Sequence, residues 1–323
     1  MTVLFAVSIA FSAHPVFDHA LPKLSEYGFF SEPIKDQIPK DKVIPYVIAS
    51  PLFSDYAEKL RFIKVPKNGK IAHDDLVLDF PVGTFLIKTF YYQSDVRDSN
   101  SERRLIETRL LKKIPGEWVA IPYIWNDDQT DAVLALAGGR TNVSWIHNDG
   151  NPINILYSIP NINQCKSCHV FNNVQQPIGP KVRNLNIDHV YGEDSENQLV
   201  KWIAEGILKP FKELNSLPRT VNYEDLHDGT LDQRARAWLD INCAHCHRSG
   251  GPAETSGLHL DLEELDPTKI GLFKPPVAAG RGSGDRKYNI VPGKPEESIM
   301  EFRITSIDPG IMMPELSRKL VHE

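Results

Sequence analysis

Cysteine, methionine, long apolar runs and excess positive charge are all scarce in this chain, and each shortage removes something. There are 4 cysteines in 323 residues. All of them fall in two five-residue stretches, so no thiol is left for a structural disulfide, and the count alone does not identify a redox compartment. Methionine occurs 4 times, as Met1, Met300, Met312 and Met313, so almost the whole chain lacks a thioether. No apolar run approaches the ~20 residues that a membrane-spanning helix needs. The net charge of −6 argues against nucleic acid as a partner and favours basic protein surfaces.

The cysteines that are present carry the chemistry. Cys165-Lys-Ser-Cys-His169 and Cys243-Ala-His-Cys-His247 both read C-x-x-C-H, the attachment sequence of c-type haem: two thiols bond the macrocycle and the following His reaches the iron. With 11 histidines in the chain, a His directly after both thiol pairs arises by chance only about once in a thousand. The competing reading is a zinc site of two Cys-x-x-Cys knuckles, for which four thiolates suffice. Two covalent haems are the expectation. Such haems are attached after export, which predicts a soluble periplasmic protein. Val3 to Ala13 suits the apolar core of a signal peptide, here taken as residues 1–19, although no Lys or Arg precedes it and a buried strand is the alternative. At about eleven residues it is too short to span a bilayer, so no integral membrane span is expected.

Along the chain, prolines from Pro33 to Pro66 interrupt short apolar pieces and predict an extended arm over residues 20 to about 70. Leu76–Phe80, Thr84–Tyr92, Arg103–Lys113, Glu117–Trp125, Val143–His147 and Ile153–Ile159 read as strands, with short-range alternation and β-branched or aromatic content. They predict an antiparallel sheet ending just before Cys165. Beyond it the patterns are helical. Ser195 with Gln198, and Thr230 with Gln233, match capping boxes; Leu231, Ala235, Trp238 and Leu239 form one apolar stripe leading into Cys243; Pro295 opens another helix. The predicted fold class is α+β: an N-terminal antiparallel β-sheet domain, residues 20–220, carrying the first haem, then a mostly α-helical cytochrome c domain, residues 221–323, carrying the second.

Residues 225–323 resemble a cytochrome c domain with His/Met ligation, through Gly250-Gly-Pro252, Ile290-Val-Pro-Gly-Lys-Pro-Glu-Glu-Ser298 and the Met-Pro of Asp308-Pro-Gly-Ile-Met-Met-Pro314. In that family the axial methionine often precedes proline, which favours Met313 over Met312. Through Phe80-Pro-Val-Gly-Thr-Phe-Leu-Ile-Lys88, Arg109-Leu-Leu-Lys-Lys113 and Gly116-Glu-Trp118 ahead of one C-x-x-C-H, residues 75–175 loosely resemble cytochrome P460-like domains, and the resemblance implies a distal iron face that is often open. The whole chain is similar to an uncharacterised family of exported dihaem c-type cytochromes, sharing Leu24-Ser-Glu-Tyr-Gly28, Pro51-Leu-Phe-Ser-Asp-Tyr56, Phe80-Pro-Val-Gly-Thr84, Tyr123-Ile-Trp-Asn126 and Gly179-Pro-Lys-Val-Arg-Asn-Leu-Asn186.

The expected cofactor residues are Cys165, Cys168 and His169 at haem one and Cys243, Cys246, His247 and Met313 at haem two; His169, His247 and Met313 are the expected iron ligands. Haem one has no methionine nearby, leaving a second His, a Lys or no protein ligand; His73, His147, His189 and His227 are the histidines considered. The expected role is electron transfer with a redox partner protein. The alternative is a haem enzyme or gas-binding protein with a small-molecule ligand at an open haem one. No residue stands out as a catalytic acid or base.

Overall fold

Period-two alternation in the first half has a direct outcome: strands whose two faces meet different surroundings. A computed structural model describes residues 15–323 apart from positions 75 and 317; the predicted signal run Val3–Ala13 lies outside the described residues. The strands are β1 (Val43–Pro45), β2 (Glu58–Lys64), β3 (Ala72–His73), β4 (Leu78–Asp79), β5 (Phe85–Gln93), β6 (Arg103–Ile114), β7 (Glu117–Trp125), β8 (Ala132–Leu134), β9 (Gly139–Ile146) and β10 (Pro152–Ile159). Six of them form an antiparallel sheet in the order β1-β2-β5-β6-β7-β8. β9 and β10 make a separate hairpin, and β3 pairs only with β4.

One sheet face sets Phe62, Ile87, Leu110 and Ile121 side by side across β2, β5, β6 and β7. Leu24, Phe29, Phe30 and Ile34 of the N-terminal segment cover it. Each such side chain contributes about 1.5–3 kcal/mol on full burial. The opposite face has three zones. Ile63, Leu86 and Trp118 pack against Leu185, Leu199 and Trp202. Phe90 packs with Val143, Trp145 and Tyr157 of the β9–β10 hairpin. Between these zones runs a row that is charged instead of apolar, Arg61, Lys88 and Arg109, ending at Pro122.

The second half begins with α1 (Ile162–His169), followed by the short pairs β11 (Val170–Phe171) with β12 (Val174–Gln175) and β13 (Asp188–Tyr191) with β14 (Asp194–Asn197). Helices α2 (Val182–Leu185), α3 (Gln198–Ala204), α4 (Leu231–Asn242), α5 (Pro267–Ile270) and α6 (Ile299–Ile304) complete the described elements. The expected mostly α-helical C-terminal domain is not found. Strand holds 28% of the chain and helix 20%, and beyond residue 220 the α-helices are 12, 4 and 6 residues long. Glycine and proline explain this: Gly250, Gly251, Pro252, Gly257, Pro275, Pro276 and Gly280 interrupt any helical run with residues that cost about 1 and 3 kcal/mol in a helix interior.

Three smaller expectations also change. The proline-rich arm supplies β1 and β2 to the main sheet. The strand expected at Leu76–Phe80 shrinks to Leu78–Asp79. Asn197, not Ser195, caps α3, accepting from the Leu199 and Val200 amides, while Ser195 pairs with Val190 in the preceding hairpin. The Thr230–Gln233 box forms in both directions, at 3.2 and 2.9 Å.

The chain's two halves are stitched together. Ser50 Oγ donates to Val221 O at 2.6 Å, the Phe53 amide donates to Asn242 Oδ1 at 2.8 Å, and the buried Asp55 carboxylate accepts from the Lys319 and Leu320 amides at 2.7 and 2.8 Å. Among the described residues no helix is long and apolar enough to cross a membrane.

Candidate functional site

Helix α1 starts three residues after β10 ends, because Asn161 caps it. Asn161 Oδ1 accepts from the Gln164 amide at 2.9 Å and Gln164 Oε1 accepts from the Asn161 amide at 3.0 Å, a complete capping box. The helix packs against β7 and its last turn carries Cys165, Cys168 and His169. His169 Nδ1 lies 2.7 Å from Gln176 O. A carbonyl only accepts, so Nδ1 carries the proton and Nε2 keeps a free lone pair. Burial, then the Lys88 charge, hold this imidazole down at about 3, so it is neutral.

The second motif repeats the arrangement with different partners. α4 leads into a further turn in which the Cys243 amide donates to Leu239 O and the His247 amide to Cys243 O, both at 2.9 Å. His247 Nδ1 lies 3.0 Å from Ser256 Oγ. The Ser256 proton is committed to Ala253 O at 2.7 Å, so the hydroxyl oxygen accepts from Nδ1–H and Nε2 is again bare. Burial, with smaller contributions from His245 and Arg303, holds His247 down at about 4. An imidazole anchored through Nδ1–H, with Nε2 unprotonated, is how protein histidines are prepared for a metal.

Two cavities adjoin at these motifs. The first contains about 1820 Å³ of open space, mouth included, and is lined by Cys165, Cys168 and His169. The second contains about 1290 Å³ and is lined by Cys243, Cys246 and His247. Measured as enclosed cavities they hold about 240 and 420 Å³, near and within the lower part of the roughly 300–1,000 Å³ of an ordinary small-molecule pocket. Cys168, His245, Met313 and Pro314 line both. The Cys168 and Cys246 thiols are in hydrogen-bonding contact, which pulls the Cys168 thiol down and pushes Cys246 up. Burial pushes Cys165 up, and pushes Cys243 up to about 12. The loops after the motifs also touch: the Asn172 amide donates to Gly250 O at 2.9 Å. Gly250 has φ +74°, and a Cβ there would collide with Asn172 Oδ1.

Of the two adjacent methionines, Met313 lines both cavities, whereas Met312 is 6% exposed and lines neither. Arg303 fixes their loop by donating from Nε to Ile311 O at 2.8 Å and accepting at its carbonyl from the Met313 amide at 3.0 Å. Met300 lines the second cavity.

The four histidines considered for the distal side of haem one lie on neither cavity. His73 is 3.0 Å from Lys209 O and stacks on Phe211. His147 meets Tyr56 edge-on, His189 meets Tyr191, and His227 is exposed. Two other histidines line the first cavity, His245 and His322. His245 is buried against the Cys168 sulfur. Trp238 donates from Nε1 to His322 Nδ1 at 2.8 Å, so the single proton of a neutral His322 sits on Nε2, and that nitrogen is a donor rather than a metal ligand. Burial, then the Lys59 charge, hold His322 down at about 4.

The sheet contributes a wall that the motifs did not foretell. Lys59, Arg61, Lys88 and Arg109 line the first cavity, and among its described lining residues Glu301 is the one carboxylate. These cations retain some accessible surface, but it opens into the cavity. Arg61 faces Lys88, and Lys88 faces Arg109, in direct cross-strand register. Like charges set directly opposite each other across strands are destabilising. Arg109 alone is paired, with Glu107 at 2.5 and 2.7 Å; Tyr157 also donates to that carboxylate at 2.8 Å. Burial pulls Arg109 down, but the Glu107 charge and hydrogen bonds outweigh it and hold the guanidinium above its ordinary range. Burial, then Arg61, bring Lys59 down to about 7; burial, then Arg109, put Lys88 well below its usual value.

No protein-family model, characterised protein or solved structure matches the chain. Its chemistry rests on its own geometry. The four thiols do not converge as a tetrahedral set: among the described residues no three His, Cys, Asp or Glu side chains gather as a metal-binding group. A haem needs something else from the chain, two thiols and one anchored imidazole beside a cavity that opens outward, and each motif provides these. The residues present fit the group.

Proposed function

We propose that the protein is an exported, periplasmic dihaem c-type cytochrome that transfers electrons, with one haem bonded to Cys165 and Cys168 and the other to Cys243 and Cys246. The observation that carries this reading is the paired anchoring of His169 and His247. In both, Nδ1–H is committed to an acceptor, at 2.7 and 3.0 Å, and Nε2 is left bare beside a thiol pair and a cavity. A haem bound at either motif supplies one-electron iron chemistry and, where one axial face is open, ligation of small molecules. Gln176 O and Ser256 Oγ orient the two imidazoles and raise their basicity. Cys168 and Cys246, in contact, put both attachment points on one shared wall, the proximity that electron exchange between two centres requires. Met313 is the proposed thioether ligand, supported by its place on the cavity lining.

A second reading, small-molecule binding at haem one, is favoured by the location of His73, His147, His189 and His227 away from the first cavity. One experiment addresses both. Mass spectrometry of the denatured chain should show two haem adducts; one adduct, or bound zinc, refutes the proposal. The reduced protein is then exposed to carbon monoxide. A Soret change in about half the haem supports an open first site, and no change leaves electron transfer alone.

A further inference from the structure

The row Arg61–Lys88–Arg109 crosses three adjacent strands in direct register and faces the cavity that holds Cys165 and His169. Like charges placed directly opposite each other in a sheet are destabilising, and a fold tolerates them in an enclosed site with a counter-charge or by loss of a proton, which Lys88 can undergo and the two arginines cannot. Glu107 does not supply it for the row: both its oxygens are taken by Arg109, and Tyr157 donates to one of them. The Lys88 ammonium has no hydrogen bond or ion pair among the described residues and lies 5.0 Å from the Phe90 ring. Lys59, on the same strand as Arg61, and Arg318 bring the lining to five basic side chains against the single lining carboxylate Glu301; Glu58 and Glu224 act on Arg61 and Lys59 from outside the lining without forming an ion pair with the row. Guanidinium groups favour planar oxyanions because their parallel N–H donors match two oxygens at once.

We infer that Arg61, Lys88 and Arg109 form an anion-binding site for a carboxylate-like planar oxyanion inside the first cavity. That chemistry has two sources, the carboxylates of a haem attached at Cys165 and Cys168 or a free small oxyanion. The first source rests on the function proposed above; the second does not.

The test uses the full-length, haem-loaded protein, its adducts first counted by mass, with Lys88→Met and Arg61→Gln. Lys88→Met keeps the length of the side chain and relieves repulsion, so it leaves the fold intact. Sodium nitrate, a planar oxyanion and a poor haem ligand, is titrated calorimetrically against sodium chloride at equal ionic strength. In parallel, the propionate bending band of each haem is followed by resonance Raman spectroscopy. Saturable nitrate binding that weakens at least tenfold in Lys88→Met supports the site with a free oxyanion. No nitrate binding, together with a shifted propionate band of one haem in both variants, supports the site with the haem's own carboxylates. No nitrate binding and unchanged propionate bands in both variants overturn the inference. A chain with no haem adducts defeats the proposed function instead and leaves the nitrate arm to decide the site by itself.

Discussion

Replacing Asp240 with asparagine should loosen the whole second motif. Asp240 lies in the last turn of α4, just before Cys243, and its side chain is 1% exposed. Its carboxylate accepts from Arg183 Nη2 at 2.7 Å, from Lys181 Nζ at 3.4 Å and from the Leu262 amide at 3.2 Å. The two cations are themselves mostly enclosed, Arg183 11% and Lys181 24% exposed. The asparagine side chain would have nearly the same shape and could still accept from Leu262, so Asp240→Asn removes charge rather than volume. Breaking one side of a buried ion pair costs about 3–5 kcal/mol, because the remaining charge stays desolvated. Glu263, 3.5 Å from Arg183 Nη1, compensates in part and puts the expectation at the lower end, about 3 kcal/mol. For a chain of 323 residues unfolding as one unit, Tm should fall by roughly 4 °C. Thermal unfolding by circular dichroism, with haem content measured on the same samples, checks it. A double-mutant cycle with Arg183→Gln should show coupling, the double variant being less destabilised than the sum of the singles. A loss below about 1 kcal/mol, the range of an exposed pair, would refute the view that this cluster holds α4 against the rest of the chain.

Met313→Leu should abolish the near-infrared sulfur-to-iron band of one haem while Met312→Leu retains it, because of these two adjacent methionines Met313 alone reaches the cavity linings; the reverse pattern moves the ligand by one residue. Ser256→Ala leaves the buried His247 Nδ1–H without its acceptor and should cost about 1–3 kcal/mol, with a spectral change confined to one haem; an unchanged spectrum and Tm would show that another group anchors the ring. His322 is held at about 4 in the folded protein by burial and Lys59, below the 6.5 of an unfolded His. Its contribution to stability is therefore fully present above pH 6.5 and is lost as pH falls through about 4. His322→Phe, which keeps an aromatic ring against Phe53, should flatten the fall in stability over that interval, and identical pH profiles for the two proteins would remove His322 from the account.

The two motifs and the main strands were legible because their signals are local. A thiol pair followed by His is a covalent pattern, alternation reports strand faces, and the Thr230–Gln233 box is satisfied within one turn. The four histidines considered for haem one lie off both cavities; the two that do line the first, His245 and His322, were not considered, because proximity along the chain says little about a cavity walled by residues more than a hundred positions apart. His322 reaches the first cavity from the C-terminal tail, and the only sequence sign of it was a ring in an otherwise charged end. The C-terminal half was misread for another reason: α4 forms, but it buries Ala237, Asp240 and Ile241 while Leu231 and Ala235 of the expected stripe are exposed, and the glycines and prolines after it override any helical tendency and leave short turns.

By itself, the sequence determined which atoms are available for chemistry: four thiols in two identical frames, a His behind each, and one pair of methionines. The tertiary structure alone decided where these meet. It set Cys168 against Cys246, turned Met313 rather than Met312 toward the cavities, and closed the second half of the chain over the sheet face bearing Arg61, Lys88 and Arg109. In sequence those cations sit in strands read from alternation, and alternation distinguishes two faces without saying what covers either. Burial is a property of the neighbours that fold over a face, and here they turned one face into the wall of a site.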